Sequence, residues 1–405
     1  MKWSSALAVE DDLEEALQQC IQKIRADLEG QAPDLLLVFV SPHHSALFDC
    51  VPRLLVQELQ PAQILGCCGS GLIGGGRERE HQVAFSLTAA LLPHTRVNTF
   101  HLDASIKKPL TLNGLTEAVG MAPEDGPAFI LLSDPFTFPT ESSLALFDQA
   151  YPFSQKIGGL VSGGESPGDH VLYAGGHMYH GGMVGAALEG PIAMDTIVAQ
   201  GCRPIGLPQY LTSSHGNIIV EINGHSPKLV LEELYRSLNS EEREIFRHSL
   251  FLGIEMQPEE RVYNRGDYLI RNLLGMDLTN GYLQVGADVS KTRVIQFHLR
   301  DRNASIQDLT SQLTRYREVA ARFPPRGALL FSCLGRGQAF FGVPDHDSNL
   351  FHEELGEVPL GGFFCNGEIG PVQGRTYIHG YTSCFGVFRE KEERHELHVP
   401  PAEEP

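Results

Sequence analysis

Short apolar runs that end in glycine-rich turns recur along the chain and predict its central strands. The turns and the apolar runs that precede them lie at residues 35–41 and 65–73, 129–133 and 158–165, and 328–332 and 359–370. The segment between each run and its turn is long enough for a helix, which suits a crossover between parallel strands. Runs that are apolar throughout are typical of strands covered on both faces. The pattern predicts an α/β fold (mixed α+β), with repeated strand–helix–strand–glycine-turn units on mixed sheets.

The three turns can be aligned on their glycines. The alignment pairs Gly66 with Gly159 and Gly362, and Gly71 with Gly164 and Gly367, so that the next residue is Leu72, Glu165 or Glu368. Glycine permits a positive φ and a close approach of the backbone to another group. A tight structural turn explains any single copy. Three copies, two of them followed by a carboxylate, favour a shared ligand-facing edge.

The rest of the pattern predicts two domains. Apolar residues with helical spacing predict an amphipathic helix over residues 9–29, which ends at Gly30 and Pro33. We therefore expect an N-terminal helical segment over residues 1–32, one domain over residues 33–205 and a second over residues 206–390. Residues 391–405 are charged and rich in proline, and we expect a mobile tail there.

Composition narrows the function. The chain has 405 residues and a net charge of −19, which argues against a nucleic-acid partner because phosphate binding needs a basic surface. No signal peptide is evident, and no apolar run is long enough to span a bilayer. The eight cysteines lack zinc-type spacing. We expect a cytoplasmic protein with reduced thiols, no metal, no cofactor and no membrane insertion.

The third turn contains the richest set of polar residues. Loops that leave the carboxyl ends of neighbouring parallel strands share one rim, where ligands usually bind. Arg336 is suited to a ligand carboxylate, Glu368 to an amine and Asn366 to either, which predicts a zwitterionic ligand. The alternative is an internal Arg336–Glu368 ion pair that ties two loops together. The predicted ligand-binding residues are Arg336, Asn366, Glu368, Cys333, Cys365, Gly337, Gly367, His298 and Arg300, with Ser162 and Glu165 at the second turn.

Cys333 is a candidate nucleophile if nearby Arg336 lowers the pKa of its thiol. The alternative is a small buried thiol with no chemical role. His298 and His379 are the candidate bases. Residues 296–301 alternate as a strand does, so His298 and Arg300 should share one face.

Longer strings of residues bring a family into view. The second half resembles the FIST C-terminal domain, on residues 265–271, 273–275, 296–301, 315–317, 327–337, 346–347 and 359–371. The first half resembles the FIST N-terminal domain, on residues 65–73 and 158–164. The family's usual acid after the first turn is Leu72 here, which weakens a ligand prediction at that turn.

The resemblance implies an intracellular sensory module that binds a small ligand, with amino acids as the favoured class. Nothing in the sequence resembles an F-box, so we expect the stand-alone form, with a small-molecule ligand and an unknown protein partner. Two other hypotheses remain open. One is a protein–protein adaptor like the substrate-receptor part of F-box FIST proteins, and the other is a thiol-dependent enzyme that uses Cys333. The sensor and the adaptor are both binding proteins, and we favour a binding protein over an enzyme.

Overall fold

The computed structural model describes residues 1–103, 110–257, 263 and 266–391. Of the predicted tail at 391–405, only Lys391 falls within these ranges, as does all of the FIST-like string at 265–271 except Arg265. The strands are β1 (Lys2–Ala8), β2 (Leu35–Val40), β3 (Gln63–Cys68), β4 (Gly71–Gly74), β5 (Arg77–Glu80), β6 (Phe85–Leu91), β7 (Arg96–Leu102), β8 (Ala128–Ser133), β9 (Lys156–Leu160), β10 (Leu172–Ala174), β11 (His177–Tyr179), β12 (Met183–Glu189), β13 (Ile192–Gln200), β14 (Cys202–His215), β15 (Ile218–Ile222), β16 (Leu250–Glu255), β17 (Tyr268–Met276), β18 (Leu283–Val285), β19 (Val294–Arg300), β20 (Gly327–Cys333), β21 (Leu360–Cys365), β22 (Glu368–Val372), β23 (Arg375–His379) and β24 (Thr382–Glu390).

The helices are α1 (Leu13–Asp27), α2 (Val51–Leu59), α3 (Leu112–Val119), α4 (Thr140–Ala150), α5 (Pro227–Ser237), α6 (Ser240–Ser249), α7 (Arg302–Ala320), α8 (Gln338–Phe341) and α9 (His346–Leu355). Short 3-10 turns cover Pro42–Cys50, Pro123–Asp125 and Leu334–Arg336. Among the described residues, no helix is long and apolar enough to cross a membrane.

The predicted repeat is confirmed, and with it the mixed α/β class. The three units are β2–β6, β8–β12 and β20–β24. In each unit the first two strands are parallel, at β2–β3, β8–β9 and β20–β21. The last strand of each unit then returns antiparallel beside the first, at β6, β12 and β24.

Each unit gives its short hairpin to a neighbour. Hairpin β4–β5 joins β21 of the third unit, hairpin β22–β23 joins β9 of the second, and hairpin β10–β11 joins β3 of the first. The resulting sheets have the orders β1-β6-β2-β3-β10-β11, β7-β12-β8-β9-β22-β23 and β13-β24-β20-β21-β4-β5. This cyclic exchange has a three-fold pattern and brings the three glycine turns together.

The repeat begins earlier than the sequence indicates. Strands β1, β7 and β13 each extend one sheet by pairing with its returning strand. Helix α1 follows β1 as α3 follows β7, and α7 leads into β20. The helix predicted over residues 9–29 is present as α1, but strand β1 was not predicted. Its buried Ser4 and Ser5 interrupt the apolar pattern, and they are satisfied by Asp27 and Thr88.

A closed barrel interrupts the third unit between β13 and α7. Its strand order is β14-β15-β18-β17-β16-β19, and it encloses an apolar core that includes Ile219, Leu252 and Phe297. The barrel begins at Cys202, near the predicted domain boundary between residues 205 and 206. Strands from both sides of that boundary share sheets, since β13 pairs with β24 and β22 with β9. The boundary itself stays a prediction.

Candidate functional site

One glycine in each unit lets two parallel strands approach closely. Gly66, Gly158 and Gly362 lie opposite Val38, Leu131 and Leu330. A Cβ atom at these glycines would lie 2.0, 1.7 and 1.9 Å from the facing carbonyl oxygen, so any side chain there would force the strands to shift apart. The equivalent residue in the second unit is therefore Gly158, and the predicted alignment on Gly159 was wrong by one position.

The equivalence of Glu165 and Glu368 was also wrong. The exchanged hairpins place Ile73, Tyr173 and Ile369 opposite the three close-approach glycines. The preceding residues, which are the true equivalents, are Leu72, Leu172 and Glu368. Glu165 lies instead in an additional loop at residues 163–170, where its side chain is exposed, whereas Glu368 is fully buried.

The three glycine turns are tied to one another by hydrogen bonds. Ser70 N donates to Ser162 Oγ at 3.1 Å, and Ser162 Oγ donates to the Phe364 carbonyl. Asn366 Nδ2 donates to the Val161 carbonyl at 2.9 Å. Ser162 and Asn366 therefore connect neighbouring units through these hydrogen bonds. Ser162 also lines a cavity, described below.

At the third turn, Arg336 forms an ion pair with Asp347 rather than with Glu368. Its Nε and Nη2 donate to the two Asp347 carboxylate oxygens at 3.0 and 3.1 Å, and both side chains are buried. Asp347 also accepts bonds from Ser332, Ser383 and His346. The Arg336 guanidinium, with its positive charge nearby, holds the pKa of Asp347 below its ordinary value despite burial. The guanidinium fork predicted for a ligand carboxylate is thus occupied by the protein.

Glu368 lies beside this pair, with none of its surface exposed. Its carboxyl accepts from Thr382 N at 3.1 Å and from the Cys365 thiol at 3.7 Å, and it interacts electrostatically with the nearby Cys333 thiol. Burial raises the pKa of Glu368 to about 8. The side chain is therefore mostly uncharged near neutral pH, which is unfavourable for binding an ammonium group.

Cys333 is half-buried, and burial raises the pKa of its thiol to about 12. The two candidate bases bond to backbone carbonyls, His298 Nδ1 to Gln296 at 3.0 Å and His379 Nε2 to Gly370 at 3.1 Å. Burial also lowers the pKa of His379 to about 4. A thiol-dependent enzyme would need a thiolate that this environment disfavours.

The barrel reaches the third turn through Arg300, at the end of β19. Its guanidinium donates to the Gly335 carbonyl and lies 4.1 Å from the Phe340 ring centre and 5.1 Å from that of Tyr381. Gly337 and Gly367 are tightly packed, since Cβ atoms there would meet Glu80 and Ile378. The structure thus brings Arg300, Cys333, Cys365, Arg336 and Glu368 together. Their role as ligand contacts stays a prediction.

The second turn opens onto a cavity of about 690 Å³. It lies where the strands of the first and second units end, a usual ligand position in such sheets. Both residues predicted for this turn contribute to it. The lining residues are Pro42, Ser45, Phe48, Ser70, Ser162, Gly163, Gly164, Glu165, Ser166, Gly168, Asp169, Val171 and His180. Among these residues are two carboxylates and neither lysine nor arginine.

A buried pair anchors the loop that forms one wall of the cavity. His170 Nδ1 lies 2.9 Å from Asp134 Oδ1, and neither side chain is exposed. The other ring nitrogen of His170 lies 3.2 Å from the Gly164 carbonyl, and Phe136 stacks on the ring. Asp169 Oδ2 accepts from the backbone of Glu165 and Ser166 at 3.2 and 2.9 Å. Sequence reasoning missed Asp134 and His170, which lie outside the glycine pattern.

Comparison with known proteins identifies the class. The FIST N domain model matches residues 34–225 and the FIST C domain model matches residues 230–371, with no F-box match found. FIST domains are generally sensory domains of signal transduction. The chain belongs to the FIST family.

Two mycobacterial relatives match most of the chain, and a plant protein matches part of it. An uncharacterized protein of Mycobacterium tuberculosis is 33% identical over 393 residues, which cover 96% of this chain and 100% of the relative. One from Mycobacterium bovis is 34% identical over 382 residues, covering 93% and 96%. An F-box/LRR-repeat protein of Arabidopsis thaliana is 28% identical over 156 residues, or 35% of this chain and 28% of the relative.

Proposed function

We propose that this FIST protein senses a small metabolite that carries an ammonium group, and that the ligand binds in the cavity at the second glycine turn. The supporting observation is the cavity itself, whose volume of about 690 Å³ lies within the usual range for small-molecule sites. It lies at the strand ends and includes Ser162 and Glu165, two of the predicted ligand contacts.

The lining chemistry favours a cationic group. Glu165 and Asp169 supply negative charge, and the described lining residues supply no cationic lysine or arginine to balance it. The hydroxyls of Ser45, Ser70 and Ser166 can exchange hydrogen bonds with a polar ligand. Amino acids and related amines are the first candidates. The third turn is a less suitable site, because Asp347 already occupies the Arg336 fork.

A thermal-shift screen of the full chain against amino acids and simple amines tests the proposal. A ligand present at about 100 times its Kd should add roughly 2.7 kcal/mol to the unfolding free energy, which is an easily measured shift. Glu165→Gln should weaken an amine ligand by roughly fivefold, because it removes one cavity charge.

The matched control is Glu124→Gln, which makes the same charge change at an exposed residue outside the cavity. It should leave the ligand's Kd unchanged. If Glu165→Gln leaves the affinity for a ligand unchanged and Arg336→Lys abolishes binding, the ligand binds at the third turn instead. If no compound in the panel stabilises the protein, the metabolite-sensor proposal fails, and the adaptor hypothesis becomes the better one.

A further inference from the structure

Two cysteines face each other at the third turn, where the barrel meets the repeat. Cys333 ends β20 and Cys365 ends β21, and the two are direct partners in the parallel register. Neighbouring strands lie about 4.7–4.9 Å apart, which is inside the roughly 4.4–6.8 Å range of Cα separations found in disulfides. The strand pairing alone thus places the two Cα atoms within the range of separations found in disulfides.

Both thiols also point toward the same carboxyl group. Cys365 Sγ lies 3.7 Å from Glu368 Oε1, and the Cys333 thiol is close enough to interact electrostatically with the same side chain. Side chains that converge on one group lie on one face of the sheet, as a disulfide requires. Because its pKa is raised to about 8, Glu368 can take up a proton from either thiol only at mildly alkaline pH, where it is ionised.

Solvent access differs between the two cysteines. Cys333 is half-buried, while Cys365 is fully buried behind it. A small disulfide in solution can therefore reach Cys333 first. Cys365 is then in position to displace the small thiol from Cys333. This order of access is typical of dithiols that exchange with small disulfides.

We propose that Cys333 and Cys365 are a redox-active dithiol that closes to a disulfide by exchange with a small disulfide, with Glu368 as the proton acceptor. The Cys333 sulfur attacks the small disulfide, and the small thiolate that leaves takes up the Cys333 proton. Cys365 then gives its proton to ionised Glu368 and attacks the Cys333 sulfur, and the second small thiolate leaves and takes the proton back from Glu368. Two protein thiols are oxidised by two electrons, and one small disulfide is reduced to two thiols.

The resting thiols are protonated, so closure should be slow at neutral pH and faster as the pH rises. This behaviour suits a switch that responds to a sustained change in redox state. It is independent of the proposed amine cavity, which contains neither cysteine. Closure would covalently join β20 to β21 directly beneath the barrel.

The test uses the reduced full chain, incubated with mixtures of reduced and oxidised glutathione. The mixtures set a reduction potential of about −180 mV, which is similar to that of an oxidising cell compartment. Samples are quenched in acid, alkylated under denaturing conditions and mapped by mass spectrometry. We expect a Cys333–Cys365 linked peptide and six alkylated cysteines of the eight in the chain. Eight alkylated cysteines, or a link at the adjacent Cys67 and Cys68 instead, would overturn the proposal.

Three variants sharpen the result. Cys384→Ala removes another buried cysteine from the same sheet and should leave the link intact. In Cys365→Ala the reaction should stop at a glutathione adduct on Cys333. If the same adduct persists in the wild type, that result counts against closure of the disulfide. Above about pH 8, where Glu368 is ionised, Glu368→Gln should slow closure at least roughly tenfold while forming the same link. An unchanged rate would remove Glu368 from the mechanism.

Discussion

The second and third glycine turns share a backbone but differ in what covers them. Each follows a pair of parallel strands joined at a close-approach glycine, Gly158 or Gly362. The second turn opens onto a cavity and carries the exposed Glu165. The third turn lies under Arg300 of the barrel and carries the buried Glu368. The repeat thus sets the position of the strand ends, and the barrel insertion decides which of them solvent and ligands can reach.

This difference in burial determines whether a charged side chain at each turn needs a partner within the protein. Arg336, Asp347 and Glu368 are removed from water, so each must be paired or neutral. Glu165 is exposed to solvent, so it needs no protein partner. A carboxylate that is free to meet a ligand is therefore found at the open turn, although the sequence pattern alone favoured the third.

Breaking the buried ion pair should give the largest effect. Asp347→Asn leaves the Arg336 charge buried without its partner, and we expect the unfolding free energy to fall by about 3–5 kcal/mol. Urea denaturation measures the change. The control is Glu354→Gln, which breaks the half-exposed Arg317–Glu354 pair and should cost less than about 1 kcal/mol.

A second variant separates burial of charge from loss of packing. The double change Arg336→Met and Asp347→Leu removes both charges at once and should recover most of the lost stability. If Asp347→Asn costs no more than Glu354→Gln, the third turn is hydrated and the contrast between the turns is wrong.

The second prediction concerns pH. Because burial raises the pKa of Glu368 to about 8, the folded protein keeps a proton that the unfolded chain releases above about pH 4.5. Each retained proton lowers the unfolding free energy by up to roughly 1.4 kcal/mol per pH unit as the pH rises. This contribution to stability is complete below about pH 4.5 and is lost as the pH rises through about 8.

Glu368→Gln carries no titrating group at this position, so its stability relative to the wild type should increase steadily between about pH 5 and pH 8. Denaturation curves at several pH values measure this difference. Glu165→Gln is the matched change at the open turn and controls for the loss of one carboxyl group. Parallel curves for the wild type and Glu368→Gln would mean that water reaches Glu368.

Much of this fold could be predicted from the sequence, because apolar runs and glycines report local geometry directly. The runs at residues 35–41 and 328–332 became β2 and β20. The exchange of hairpins was not predictable, since a strand pattern shows a pairing face but does not name the partner. Strand β1 was missed because Ser4 and Ser5 are buried by hydrogen bonds, a form of burial that hydrophobic patterning cannot detect.

The candidate site was predictable only in part, for a related reason. Arg336, Cys333, Cys365 and Glu368 were expected together because parallel strand ends share a rim, and they do lie together. A barrel inserted between β13 and α7 contacts this rim through Arg300, and that insertion has no signature in the turns themselves. Glu165 was predicted from an incorrect alignment of the glycine turns, yet it lines the cavity of about 690 Å³.

The smallest expected effect tests what the two turns share. Gly158→Ala and Gly362→Ala each place a methyl group within 2 Å of a facing carbonyl oxygen, so the strands must separate in both. We expect similar losses of about 1–3 kcal/mol, because overpacking does not depend on the barrel. Gly275→Ala, where nothing lies within 4 Å of the added carbon, is the control and should change little. Urea denaturation compares the three, and a loss confined to Gly362→Ala would show that the close approach is needed only where the barrel covers the strands.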